Sequence, residues 1–395
     1  MPASAYITGL GSYLPGEPVD NDAIADRLGG VGPGGDRIKN RILDSNGIRQ
    51  RHYALDADGE TTELNEELAV KALQAALADR GIGAADLGML ACATTQGDLL
   101  IPGFGSMVHG RLGGGPMQVL TAAGVCASSL AALDAASAKI RLGDHPRAAV
   151  VGSELASRWL HRRRFASGKP SLDAEFLRWM LSDGAGAVVL EFQPHPDRPS
   201  LRLDWVRQMS LAHEHKVCMR AGMSGTDPVA GQTWQDQADV ASAEQAGLMH
   251  IRQDTRDLAA LAEAGLQQFE ELVDIGLIDL RHLDHVLCHY STNAFRDIAF
   301  DGIRARIPGL NTDRWFSNLE TRGNTGSASI FIALEEAWRT GRFAAGDTVL
   351  LAVPESGRFS FAFAHLTVVE PRPGNSSRGV STHASTAPNR RSNRP

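Results

Sequence analysis

Short apolar segments alternate with longer segments of helical periodicity along most of this chain. Four apolar runs lack polar alternation and are typical of buried strands: 88–95, 117–122, 147–154 and 284–292. The segments 63–81 and 254–277 instead place apolar residues at helical spacing. Strands that alternate with helices predict an α/β fold in which mainly parallel sheets are covered by helices.

The second half of the chain repeats the order of elements in the first half. Helix 254–277 corresponds to helix 63–81, and strand 284–292 corresponds to strand 88–95. Gly323 opens a turn and helix as Gly124 does. Elements repeated in order at a near-constant offset predict an internal duplication. We therefore divide the chain into an N-terminal half, 1–195, and a C-terminal half, 196–371.

Composition narrows the classes of function. The 395 residues are 43% hydrophobic and 22% charged, and the net charge of −7 argues against binding to nucleic acid or to an anionic membrane surface. We find no signal-peptide pattern and no apolar run of transmembrane length, so we expect a cytoplasmic protein. Four scattered cysteines form no disulfide framework and no zinc motif, and we expect no metal. Residues 372–395 are polar and predict a disordered tail.

Cys126 stands between a glycine turn and a helix of small and apolar residues. In the first turn of a helix, free N–H groups and the helix dipole would favour the thiolate and make it nucleophilic. A buried structural cysteine is the alternative, because free cysteine is among the most buried residue types.

His289 and Asn324 fall at related positions of the second half. His289 ends a predicted buried strand, and Asn324 opens the helix that corresponds to the Cys126 helix. Taken singly, His289 could be an ordinary strand-end histidine and Asn324 a helix cap. Together with Cys126 they supply a nucleophile, a proton-handling group and an orienting amide, which acyl transfer through a thioester needs.

Several motifs, spread over most of the chain except the tail, resemble those of the β-ketoacyl-acyl-carrier-protein synthase III enzymes of the thiolase superfamily. They are ITGLGSYLPGEPVDN, NGIRQRHYA, ATTQGDLLIPGFGSMVHGRLG, GVCASSLAAL, VVGSE, LSDGAGAVVL and RGNTGSASIFIALEEAW. The resemblance implies a duplicated, five-layered αβαβα thiolase-like fold, a homodimer, and a Cys-His-Asn site made by Cys126, His289 and Asn324. It also implies thioesters of coenzyme A or an acyl carrier protein as substrates, with no separate cofactor.

Two segments depart from the family pattern. Tyr290-Ser291-Thr292-Asn293 follows the histidine where the family has Gln-Ala-Asn, and the Gly-rich oxyanion loop is replaced by residues 354–362. When the first Phe of that loop is aligned with the Phe of the family pattern, Arg358 falls at the position whose backbone N–H donates to the oxyanion. We nevertheless expect Gly357 to shape the loop and, with Cys126, to supply the oxyanion hole. These departures resemble the secondary-metabolism branch of the family.

The leading hypothesis is a condensing enzyme in polyketide or other secondary-metabolite synthesis. Cys126 would take an acyl group from a thioester and join it to a malonyl- or β-ketoacyl-thioester. Two alternatives are an acyltransferase that acts on an alcohol or amine, and a non-catalytic partner of a ketosynthase pair. A papain-like hydrolase is disfavoured by the local cysteine motif.

Other residues have weaker predicted roles. Arg162, Arg163 and Arg164 could bind the phosphate of coenzyme A or of a carrier arm, although a solvated basic face is the simpler interpretation. Segment 99–102 could line an acyl pocket across a dimer, but ordinary core is the simpler expectation. Glu154 and Asp183 lie in family-like motifs, but the sequence does not place either in the site.

Overall fold

The fold is given by a computed structural model that describes residues 4–31, 35–165, 172–254, 256, 258–307 and 310–371. The tail predicted for 372–395 lies outside the described residues. Ten strands form the main sheet: β1 (Ala5–Tyr13), β4 (Met89–Thr94), β5 (Gln118–Ala123), β6 (Arg147–Glu154), β7 (Gly184–Glu191), β8 (Ser200–Ser210), β11 (His285–Cys288), β12 (Trp315–Phe316), β13 (Thr348–Glu355) and β14 (Ser360–Val369). Four short strands make two ribbons: β2 (Val19–Asp20) with β3 (Gln50–Arg51), and β9 (Met219–Arg220) with β10 (Arg252–Gln253).

The α-helices are α1 (Ile24–Leu28), α2 (Asp36–Asn46), α3 (Asn65–Arg80), α4 (Phe104–Leu112), α5 (Ser128–Leu142), α6 (Ser157–Leu160), α7 (Arg162–Phe165), α8 (Leu172–Arg178), α9 (Val240–Gln245), α10 (Leu258–Asp274), α11 (Asn293–Arg306), α12 (Leu319–Arg322) and α13 (Ser329–Arg339). A 3₁₀ turn, Gly326–Ala328, directly precedes α13. Among the described residues, none of these helices combines the length and apolar character needed to cross a membrane.

The strand order shows the repeat directly. It runs β5-β4-β6-β7-β1 in the first half and β12-β11-β13-β14-β8 in the second, so each strand has a counterpart at the same place. The halves join through three residue pairs between β1 and β8, which makes one ten-stranded sheet. The exact boundaries at 195 and 371 stay predictions.

The sheet is mixed, so the expectation of mainly parallel pairing was wrong. Four neighbouring pairs are parallel, β4 with β5 and β6, and β11 with β12 and β13, whereas the other five are antiparallel. The cause in the second half is the short turn 356–359, which joins β13 to β14 and is far too short for a parallel crossover.

Helices form three layers around the strands. α3 and α4 cover the first-half strands, while α5 and α13 contact strands of both halves and lie between them. α10 and α11 cover the second half, where Phe269 of α10 meets Phe363 of β14 edge to face at 6.3 Å between ring centroids. Small residues such as Ala132 and Ala136 are buried on the face of α5 that packs in the core, and their size lets the helix lie close to strands of both halves.

Segment 99–101 is exposed, which overturns the expectation that it is ordinary core. Leu99, Leu100 and Ile101 are 49%, 70% and 86% exposed, although all three side chains are large and apolar. Adjacent exposed apolar side chains of this size are uncommon, because soluble monomers rarely expose large contiguous apolar patches. The four cysteines, in contrast, are all buried and free, as the spacing predicts.

Candidate active site

One cavity brings together the three residues that the sequence singles out. Cys126, His289 and Asn324 all line a cavity of about 370 Å³ between the two halves. Cys126 lies in the turn between β5 and α5, His289 directly follows β11, and Asn324 lies in the turn between α12 and α13. The duplicated topology thus places Cys126 and Asn324 at equivalent helix starts.

The environment of Cys126 differs from the predicted one. The helix begins at Ser128, so Cys126 precedes its first turn instead of lying within it. Burial raises the pKa of the Cys126 thiol well above its usual value, and the carboxylates of Glu355 and Glu154 raise it further. Desolvation and two acidic neighbours therefore work against the thiolate that the helix end would favour, and the nucleophilic role of Cys126 stays a prediction.

The two glutamates form a crossed pair that follows the duplication. Glu154 ends β6 of the first half and accepts the N–H of Ser327, at the start of the second-half helix, at 3.2 Å. Glu355 ends the corresponding β13 and accepts the N–H of Ala127, at the start of the first-half helix, at 2.9 Å. Each half therefore supplies the carboxylate that fixes the other half's active-site turn, since a negative group is favourable at a helix N-terminus.

Glu154 is buried and makes several hydrogen bonds. Its Oε1 accepts four hydrogen bonds, from the N–H and hydroxyl of Thr95 and from those of Ser327. Burial nevertheless dominates and raises its pKa from 4.5 to about 7. Gly326 is required here, because its φ is +52° and a Cβ would lie 2.9 Å from Glu154 Cγ.

His289 is positioned as a neutral hydrogen-bonding group. Its backbone N–H donates to the Ala352 carbonyl at 2.9 Å, which extends the pairing of β11 with β13. The side chain is only 5% exposed, and its Nε2 has no partner among the described residues. Burial lowers the pKa of His289 to about 4, so the imidazole is neutral near pH 7.

Asn324 is oriented by its own turn. Its Oδ1 accepts the N–H of Gly326 at 3.0 Å, and its backbone carbonyl accepts the N–H of Ser182 at 2.8 Å. Because the Oδ1 is engaged, the Nδ2 is the group left to donate into the cavity. His289 and Asn324 thus each supply a neutral donor group in the wall of the same cavity.

The loop after β13 brings Gly357 close to its neighbours: a Cβ there would lie 3.1 Å from Val125 Cγ2 and 3.2 Å from Glu355 Oε1, and its role in shaping the loop stays a prediction. Pro354 and Ser356 line the cavity, whereas Gly357 does not, and Gly357 has no positive φ. The left-handed residue is Phe359, at φ +60°, whose ring stacks on His215 with 4.0 Å between ring centroids. Buried stacking of Phe359 compensates for its backbone conformation. Donation by Gly357 to an oxyanion stays a prediction.

The basic cluster lies on the surface beside the cavity. Arg162 donates to the Asp58 carbonyl, Arg163 pairs with Glu60, and Arg164 lies 3.0 Å from Glu244. None of the three lines the cavity, although Arg164 packs over Trp159, which does. Their charges are thus partly neutralised within the chain, and phosphate binding by them stays a prediction.

Asp183, the other carboxyl that the sequence left unplaced, is structural. It is fully buried and accepts hydrogen bonds from the N–H groups of Ala54 and Ser157, both at 2.8 Å. Burial raises its pKa to about 6, but it does not line the cavity. Glu154 lines the cavity and Glu355 accepts the N–H of Ala127 beside Cys126, and the sequence did carry a signal for both, because both duplicated strands end in glutamate.

A second, apolar cavity adjoins the first. It has a volume of about 60 Å³ and lies between α10, α11 and the second-half strands. Phe295 and Pro354 line both cavities and form the wall between them. The size of the Phe295 side chain therefore limits how far an apolar ligand can extend in this direction.

Two family models match this chain. The model of 3-oxoacyl-[acyl-carrier-protein (ACP)] synthase III matches residues 121–206, and the model of the C terminal of the same enzyme matches residues 278–362. The first match includes Cys126 and the second includes His289 and Asn324.

Relatives of similar length support the match. The chain is 30% identical, over 360 residues, to a beta-ketoacyl-[acyl-carrier-protein] synthase III from Rhodobacter capsulatus, covering 89% of this chain and 95% of the relative. In fold it is similar to AbyA1, a tetronic acid condensing enzyme, with a TM-score of 0.74, 22% identity and coverage of 92% and 99%. The synthase III structure from Pseudomonas aeruginosa PAO1 has a TM-score of 0.70, 22% identity and coverage of 94% and 100%. The fold is therefore thiolase-like, as predicted, and the chain belongs to the β-ketoacyl-[acyl-carrier-protein] synthase III family of acyltransferases.

Proposed function

We propose that this protein is a condensing enzyme that forms an acyl-Cys126 intermediate and joins the acyl group to a malonyl- or β-ketoacyl-thioester. The observation that carries the proposal is the cavity shared by Cys126, His289 and Asn324. A thiol, a neutral imidazole and an amide are the groups that thioester exchange followed by carbon–carbon bond formation requires.

In the first half-reaction, Cys126 Sγ attacks the thioester carbonyl of an acyl-coenzyme A or acyl-carrier protein. The carbon–sulfur bond to the carrier breaks, and the thiol proton of Cys126 ends on the departing sulfur. Because Cys126 is a buried thiol between two carboxyls, proton removal has to accompany the attack. Backbone N–H groups of Cys126 and of the 354–359 loop would hold the oxyanion.

In the second half-reaction, His289 and Asn324 would donate hydrogen bonds to the thioester carbonyl of the incoming malonyl group. Loss of carbon dioxide from a malonyl group, or removal of the α-proton of a β-ketoacyl group by a carboxylate base, leaves an enolate whose oxygen those two donors stabilise. The enolate carbon attacks the acyl-Cys126 carbonyl and releases the Cys126 sulfur as a thiolate, which takes a proton from water to restore the thiol. A neutral His289 suits this task because it can donate from Nε2 without placing a positive charge in an apolar cavity.

The acceptor and the biological setting are part of the same proposal. The departures at 290–293 and 354–359 support a role in secondary metabolism, with a carrier protein as partner, over initiation of fatty-acid synthesis. The exposed Leu99, Leu100 and Ile101 support a homodimer, in which a second copy would cover them. We place the protein in the cytoplasm, where such carriers and thioesters occur.

The test is a chase of the acylated enzyme. Wild-type protein is first loaded with hexanoyl-coenzyme A and then mixed with malonyl-carrier protein, or with small alcohols and amines. We expect loss of the acyl group and a carrier-bound β-ketoacyl product only with malonyl-carrier protein. Transfer to the alcohols or amines alone would favour the acyltransferase alternative, and loading without any transfer would oppose both enzymatic functions.

A further inference from the structure

One polar side chain in the cavity wall has no role in the chemistry above. Gln253, on β10, lines the cavity and is only 1% exposed. Its Nε2 has no hydrogen-bond partner among the described residues. A buried amide donor without a partner is costly to keep, and native proteins pair the large majority of buried side-chain polar atoms.

The surroundings of Gln253 do not supply a partner. Much of the cavity wall is made of buried apolar side chains, namely Met180, Leu181, Ile251, Leu261 and Phe295, although Arg220, Ser291 and Ser356 also line it. Water in so apolar a wall would find few other polar groups to bind. The unpaired donor therefore points to an acceptor that arrives with the ligand.

The position of Gln253 indicates which part of a ligand it meets. Gln96 and Ala221, which also line the cavity, are exposed and mark its open side. A pantetheine arm stays attached to coenzyme A or to a carrier outside the protein, so it has to lie along this open side. The deeply buried part of the wall, to which Gln253 belongs because it is only 1% exposed, is left for the acyl chain.

The backbone holds Gln253 in place. Gln253 pairs with Met219 in the β9–β10 ribbon, and the Met219 N–H donates to the Ser356 carbonyl at 3.1 Å. The ribbon is thus fixed to the loop that lines the cavity near Cys126. A fixed donor can select between ligands, because it does not have to be ordered on binding.

We infer that Gln253 selects an acyl chain that carries a neutral oxygen, a keto or hydroxyl group, over a plain alkyl chain of the same length. This inference rests on the proposed function, since it names the acyl donor of that site. An amide N–H in an apolar wall suits a neutral oxygen acceptor, and a chain without that oxygen would leave the donor buried and unpaired.

The test compares octanoyl-coenzyme A with octanoyl-coenzyme A derivatives that carry one keto or hydroxyl oxygen at carbon 3, 5 or 7. The rate of acyl-Cys126 formation is followed by intact-protein mass measurement. We expect wild type to prefer at least one oxygenated chain by about tenfold, which corresponds to about 1.4 kcal/mol. Gln253→Met, of similar length but apolar, should remove that preference and leave plain octanoyl loading intact.

Two controls keep the result interpretable. Met180→Leu alters the same wall without a polar group and should keep the preference, while Gln253→Leu replaces the Met variant if that variant fails to fold. Binding of the same thioesters to Cys126→Ala is measured by calorimetry. Because this variant cannot form an acyl-Cys126, it reports the preference for oxygenated chains separately from any failure of acyl transfer.

Equal use of plain and oxygenated chains by wild type, or a preference that survives in Gln253→Met, would overturn the inference. An equal loss for all chains in Gln253→Met would do so too, because it would place the contact on the pantetheine arm.

Discussion

Replacing Glu154 by glutamine tests the electrostatics of the crossed carboxyl pair. In the unfolded chain this carboxyl ionises near its usual pKa of 4.5, whereas burial raises the pKa to about 7 in the folded protein. The folded state therefore binds the proton more tightly, and stability that is present below pH 4.5 is lost as the pH rises to about 7. At about 1.4 kcal/mol per pKa unit, the difference amounts to about 3 kcal/mol.

Glutamine keeps an oxygen for the same four donors on Thr95 and Ser327 but does not titrate. The free energy of unfolding, from urea denaturation between pH 4 and pH 8, should therefore fall with pH in wild type by about 3 kcal/mol more than in Glu154→Gln. Glu271→Gln, at an exposed position of α10, is the matched control and should follow wild type. Curves for wild type and Glu154→Gln that stay parallel across this range would refute the argument, because they would show that Glu154 ionises in the folded protein as it does in water.

Three further predictions concern the site and its surroundings. His289→Ala should keep acyl loading within a few-fold but lower condensation by about 10²–10³-fold, since the lost donor acts on the second thioester; equal loss of both steps, in separate loading and chase assays, would contradict this role. Phe295→Ala should merge the two cavities and shift loading toward longer acyl chains in a chain-length series, at a cost of about 3 kcal/mol in stability; an unchanged optimum would mean that Phe295 does not limit the chain. Leu100→Asp should produce monomers in light scattering, whereas Leu142→Asp, at another exposed leucine, should not; dimers in both variants would exclude the 99–101 surface as the contact.

The sequence predicts the architecture of this protein better than its electrostatics. Apolar runs without polar alternation mark the strands at 89–94, 147–154 and 285–288, and the repeated order of elements anticipates two halves with the same strand order. Strand direction was not predictable in the same way. β14 follows β13 after a turn of only four residues, so the two strands must pair antiparallel. The sequence pattern alone did not predict that residues 354–362 contain this tight turn.

The positions of Cys126, His289 and Asn324 followed from the repeat and the motifs, but the state of Cys126 did not. Its pKa depends on burial and on Glu355, which is distant in the chain and comes close only through the fold. Phe359 is a similar case, because a left-handed phenylalanine is tolerated only where stacking on His215 compensates for it. Such effects arise from tertiary contacts that a linear pattern does not contain.

The central claim is that Cys126 carries the acyl group, and intact-protein mass measurement after incubation with hexanoyl-coenzyme A tests it most directly. Wild type should gain the mass of one hexanoyl group, and Cys126→Ala should gain none. Cys288→Ala is the matched control, since Cys288 is also a buried free thiol but does not line the main cavity, and it should gain the same mass as wild type. No gain on wild type, or an equal gain on Cys126→Ala, would contradict the account.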